Sequence, residues 1–114
     1  MKFEDILNIK DINEMCNTFL EGGPKDCTWR DVADYIENKY TQDQIILINK
    51  RLWVELDRLC RLDEEKGSDS DEADNIREHC EVFYYAINDE NYNRFRELNF
   101  EWAKKSDEAY GKHI

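Results

Sequence analysis

The chain has 114 residues and a net charge of −11, set by 27 Asp plus Glu against 16 Lys plus Arg, with 40% apolar and 12% aromatic residues. That length fits one domain, and no apolar run approaches the ~20 residues that span a bilayer. So large an acidic excess argues against nucleic acid or anionic lipid as a direct partner, because phosphate binding depends on cation-rich surfaces.

Low mean hydropathy with high net charge ordinarily marks disorder, but here 3 Trp, 6 Tyr and 5 Phe sit among regularly spaced aliphatics. The apolar residues recur three and four apart, the period of a helix with one buried face. The alternation that marks strands is absent. The expectation is a single all-α domain over residues 1–114, a bundle of four to five helices around a long central one.

Phe3, Ile6 and Leu7 suggest a short helical lead-in. The first full helix runs from about Asp11 to Glu21, with Ile12, Met15, Cys16, Phe19 and Leu20 on one side. Gly22-Gly23-Pro24 ends it, since Gly accepts the left-handed conformation and Pro cannot continue the helix. A second helix starts at Thr28, where Asp31 completes a capping box with Asp in place of Glu. Trp29, Val32, Ala33, Ile36 and Tyr40 line its face.

Thr41 opens the third helix, with Gln44 in the capping position. It extends to about Glu65, roughly 36 Å at 1.5 Å per residue. Ile45, Ile48, Leu52, Leu56 and Leu59 form one apolar line, and Ile46, Trp53 and Cys60 an adjacent one. So broad an apolar surface marks it as the spine. After Gly67-Ser68-Asp69-Ser70 a fourth helix spans about Asp71 to Asn88, with Ala73, Ile76, Cys80, Phe83 and Ile87 inward. A fifth spans about Asn91 to Tyr110, burying Tyr92, Phe95, Leu98, Trp102 and Ala109 and closed by Gly111.

Catalytic and metal signals are weak. Cys16, Cys27, Cys60 and Cys80 form no C-x-x-C pair. With no signal peptide read at the start of the chain, they are expected to be reduced structural thiols in a cytoplasmic protein, Cys27 being the most exposed. His79 and Cys80 are helix neighbours that diverge by about 100°, and His113 stands apart from them near the last residue. No metal or cofactor is expected. There is no G-x-S-x-G and no Gly-rich phosphate loop. Asp69-Ser70-Asp71-Glu72 lacks the central Gly and the bidentate Glu of a calcium loop. The chain reads as a non-enzyme.

The charge is uneven: Asp63 to Glu81 holds 9 acids against Lys66 and Arg77. On the fourth helix Asp71, Asp74, Glu78 and Glu81 step by three, four and three along one side. Val82 and Tyr85 are expected to project from that side as apolar contacts. Like charges one turn apart repel, and packing the core does not require this arrangement. A stripe of carboxylates about 5–6 Å apart suits a basic groove that normally holds nucleic acid. Asp69, Asp71, Asp74, Glu78, Glu81, Val82 and Tyr85 are therefore the expected partner-binding residues. The plainer reading is a solvated face that aids solubility.

A short helix, a tight turn and a longer helix around Thr41 also outline a helix-turn-helix, with Lys50, Arg51, Arg58 and Arg61 as DNA contacts. Four consecutive aliphatics, Ile45 to Ile48, occupy the place where a recognition helix needs polar residues. In size, charge and class the chain resembles phage anti-restriction or anti-CRISPR inhibitors and immunity proteins of nuclease toxins, although no motif carries the likeness. The expected function is an acidic protein-binding inhibitor that occupies the basic, nucleic-acid-binding surface of a partner protein, touching neither nucleic acid nor membrane itself. The alternatives are a helical adaptor or assembly subunit using apolar surface, and a helix-turn-helix regulator.

Overall fold

Seven α-helices and one 3-10 turn make up the regular structure of the computed structural model, which describes residues 2–67 and 70–110; among these no strand occurs. Asp69, Gly111 and His113 lie outside the described residues. In chain order the helices are α1 (Phe3–Ile6), α2 (Ile12–Leu20), α3 (Trp29–Lys39), α4 (Gln42–Lys66), α5 (Asp71–Ala86), α6 (Tyr92–Leu98) and α7 (Phe100–Tyr110), with the 3-10 turn at Asp89–Asn91 between α5 and α6. No helix among the described residues is long and apolar enough to cross a membrane.

The helix starts follow from local chemistry. Thr28 and Asp31 form a reciprocal box: the Thr28 hydroxyl accepts from the Asp31 N–H, and the Asp31 carboxylate accepts from the Thr28 N–H. Thr41 and Gln44 do the same for α4. Each cap satisfies backbone donors that have no partner within the helix, an effect of about 1 kcal/mol. Ser70 caps α5 through the Ala73 N–H. Its own N–H and hydroxyl both donate to Asp63 Oδ2 at 3.0 Å, which ties the end of α4 to the start of α5.

α4 is the spine. It packs against α5, α2 and α3, and it buries Ile45, Ile48, Leu52, Leu56 and Leu59. The buried Asn49 amide donates to the Cys80 carbonyl across the α4–α5 seam at 3.2 Å. α5 in turn packs on α4, α3, α2 and α7. Phe19 of α2 meets Phe83 edge-on, with ring centroids 5.0 Å apart.

The expected fifth helix is two helices. Asn99 (φ −141°, ψ 52°) breaks it, while its N–H still donates to the Phe95 carbonyl and its carbonyl accepts from the Ala103 N–H. The bend turns Leu98 outward to 59% exposure and leaves Ala109 exposed, so both leave the expected core. α7 instead buries Ala103 and Ser106. Asp107 holds the corner, accepting from the Tyr84 hydroxyl at 2.6 Å and from the Tyr92 hydroxyl, and so joins α5, α6 and α7. Burial and the Asp107 carboxylate push the Tyr92 phenol up to about 12.

Of the three glycines at positive φ, Gly67 and Gly23 sit in different surroundings. Gly67 (φ 73°) caps α4 in open space, whereas a Cβ at Gly23 (φ 63°) would come within 2.8 Å of His79 Nε2 and 3.1 Å of Phe19 Cδ1. Gly67→Ala is therefore expected to cost only the backbone term, about 1–2 kcal/mol. Gly23→Ala should cost clearly more, because strain and overlap add. Urea denaturation midpoints of the two variants check the order.

Candidate functional site

The acidic line on α5 is only partly what the spacing implies. Asp71, Asp74 and Glu78 are exposed, and Glu81 is half-buried. Asp74 Oδ1 accepts from Arg77 Nη1 at 2.7 Å, one turn along the same helix. That pair is exposed and contributes little to stability, but it places a cation within the stripe. Asp69 lies outside the described residues.

Val82 is a correction. It is 3% exposed and cannot be a surface contact. α5 is packed by α3 on one side and α4 on another, so its apolar arc is wider than the single line Ile76, Cys80, Phe83 and Ile87 implies. Val82 falls within the part covered by α3. Tyr85 lies at the edge of that contact, half-buried, with its ring 5.6 Å from the Trp29 ring and its hydroxyl donating to the Tyr110 carbonyl at 3.1 Å.

Trp29, on the apolar face of its helix, is 49% exposed. As the first residue of α3 it lies over Tyr85, and the Arg30 guanidinium sits 5.6 Å from the centre of its ring. Beside it is a shallow cavity of about 390 Å³, bounded by Pro24, Thr28, Trp29, Glu78, His79 and Glu81. Cys27 borders this cavity and also a wider, mainly acidic hollow lined by Glu4, Asp26, Asp31 and Asp34 with Lys2 among them. The acidic surface thus continues from α5 across the Pro24–Thr28 loop to α1 and α3.

A scan against protein-family models and searches of curated proteins and of solved structures found no match.

Several of these carboxylates also hold the loop. Asp26 Oδ1 accepts from the Phe3 N–H at 2.6 Å, and Asp31 completes the cap of α3. Counting charge along the chain concealed this patch, because residues 1–62 carry only three more acids than bases. The local signal was Asp31 and Asp34 one turn apart beside Asp26. Burial, with Asp26 and Asp31 adding to it, pushes the Cys27 thiol up, so it stays protonated and weakly nucleophilic. Burial likewise raises Cys16 and Cys80. All four cysteines are free.

His79 underlies the loop. Its Nδ1 lies 3.1 Å from the Phe19 carbonyl, which can only accept, so Nδ1 carries the proton and Nε2 faces Gly23. Burial holds its pKa down to about 4; the Phe19 bond opposes this, and Lys25 adds to it. Among the described residues no three His, Cys, Asp or Glu side chains are placed to share a metal ion. What the arrangement offers is carboxylates around one exposed indole, a chemistry suited to binding cations and flat apolar groups.

The cations proposed for a recognition helix are mostly engaged. Arg58 pairs with Glu55, Arg61 with Asp57, and Arg51 donates to Asn13 Oδ1.

Proposed function

We propose that this chain is a non-enzymatic, acidic protein-binding inhibitor that acts in the cytoplasm and occupies the basic, nucleic-acid-binding surface of a partner protein. This is the role of phage anti-restriction or anti-CRISPR proteins and of nuclease-toxin immunity proteins. The observation that supports it best is Trp29, half-exposed on Tyr85, with Glu78 and Glu81 in its cavity and Asp26, Asp31 and Asp34 in the hollow that adjoins it at Cys27. Carboxylates steer a cationic surface into encounter, and a rigid aromatic anchor slows its departure. Asp71 and Asp74 extend the field along α5 without contacting the anchor.

The test uses the tagged chain to capture partners from its host, followed by titration of the captured protein. Binding should weaken steeply between about 0.1 and 0.5 M salt as screening shortens, and DNA or RNA should compete for the partner. Asp34→Lys with Glu78→Lys should reduce affinity by about two orders of magnitude, since charge reversal replaces attraction with repulsion. Trp29→Ala should reduce it about tenfold or more. Undiminished binding by the double variant, with an unchanged helical CD signal, overturns the reading.

A second reading, the helical adaptor, is favoured by Leu47, Val54 and Leu98, which stand exposed away from this surface. It requires salt-tolerant association that Leu47→Glu abolishes and Glu78→Lys does not. A helix-turn-helix regulator requires direct DNA binding, which a gel shift reads.

A further inference from the structure

Leu47, Lys50, Arg51 and Val54 stand at i, i+3, i+4 and i+7 on α4 and so share one side of the helix. Asn49 reaches into α5, which places this stripe on the side of α4 away from α5. Leu47 is 40% exposed and Val54 50%. Cys16, Asn17 and Leu20 of α2 form one wall, and Arg94 and Leu98 of α6 form the other. Leu47 and Lys50 border both hollows, which adjoin along the helix, so the grooved stretch runs from Asp43 to Glu55. At 1.5 Å per residue its length is about 18 Å, a little over three turns of a helix.

The charge balance in the groove is opposite to that of the whole protein. Asp43 is paired with Arg94 at 2.6 Å, and Glu55 with Arg58. Arg51 donates to the neutral amide oxygen of Asn13, and Lys50 is joined to no carboxylate among the described residues. In a chain of net charge −11 the uncompensated groups here are two cations on an apolar floor.

We propose that this groove docks an amphipathic, acidic helix of a partner protein. Its apolar residues rest on Leu47 and Val54, two turns apart, and its carboxylates pair with Lys50 and Arg51. A second copy of this chain fits less well, since a two-fold contact would set Lys50 and Arg51 against their own counterparts. Nucleic acid fits less well because Leu47 and Val54 occupy the floor where phosphates need donors. The protein's remaining negative charge is screened beyond roughly 8 Å in physiological salt, so the local cations govern encounter at the groove. The groove shares no residue with the acidic surface around Trp29, and the two readings fail separately.

The probe is a fluorescein-labelled 18-residue peptide with Leu on one helical face and Glu flanking it, titrated with the full chain by fluorescence anisotropy. A counterpart with every Glu replaced by Gln serves as control. The Leu/Glu peptide should bind, and the Gln counterpart should bind about fivefold more weakly or worse. Leu47→Glu and Lys50→Glu should each weaken binding about tenfold or more. Both positions are exposed, so an unchanged CD spectrum shows that the fold is kept. Trp29→Ala should leave this binding unchanged. Equal affinity for the two peptides, or indifference to both substitutions, overturns the proposal. So does a dimer in sedimentation equilibrium that Leu47→Glu dissolves, or duplex-DNA binding that Lys50→Glu abolishes.

Discussion

Phe19→Ala is expected to lower the unfolding free energy by roughly 3–5 kcal/mol, the range for deleting a buried Phe side chain. Phe19 is fully buried between the edge of Phe83 and the His79 ring, with centroids 5.0 and 5.1 Å away. Its side chain also supports the Gly23 turn from below, so little nearby structure can collapse into the space left. A domain has only about 5–15 kcal/mol of stability in total, and the variant should therefore melt far below the parent. Phe19→Leu should recover most of the loss, because volume is restored without the aromatic edge contacts. Urea unfolding followed by far-UV CD measures both. A loss under about 1 kcal/mol for the alanine variant would show that the α2–α5 seam does not carry the core.

The elements legible in the sequence were those set by short-range chemistry. Thr28 with Asp31, Thr41 with Gln44, and Gly67 announce their boundaries through backbone hydrogen bonds made within a few residues, and the structure uses all of them. The inward line of α4 was equally plain, because a helix touched on two sides must be apolar on two adjacent lines. What stayed hidden depends on packing between distant segments. Asn99 is a weak signal for a break: Asn can end a helix, but neither Gly nor Pro is there, and the hydrogen bonds of Asn99 to Phe95 and Ala103 carry the helix ladder across the bend. Val82 departs from expectation because α3 as well as α4 packs on α5, a contact between distant segments, and Trp29, the first residue of α3, stays exposed. Asp71, Asp74 and Glu78 are exposed as their spacing implies, and Arg77, three residues from Asp74, is a short-range pair the sequence also carries. That the carboxylates of the Pro24–Thr28 region adjoin α5 emerges only when the chain is folded.

Acidification should weaken the fold through His79 before it neutralises the surface carboxylates. In the folded chain burial holds this imidazole at about 4, whereas an unfolded His takes up its proton near 6.5. Between those values the unfolded state binds the proton and the folded state does not, so stability falls as pH drops from about 6.5 to about 4 and levels off below. The full difference amounts to roughly 3 kcal/mol. The site of protonation is Nε2, since Nδ1 already donates to Phe19, and Nε2 faces the Gly23 turn. A charge there meets Lys25 unfavourably. Chemical denaturation at pH 7, 6, 5 and 4.5 should show this slope in the parent and lose it in His79→Gln, whose amide can still donate to the Phe19 carbonyl. Relief of repulsion among the excess carboxylates acts in the opposite direction and is common to both proteins, so the difference between them isolates the imidazole. Identical slopes would place the pH sensitivity elsewhere. Because the folded chain keeps His79 neutral over this interval, partner binding at the Trp29 surface should change alike in the parent and in His79→Gln, which separates the stability effect from the site.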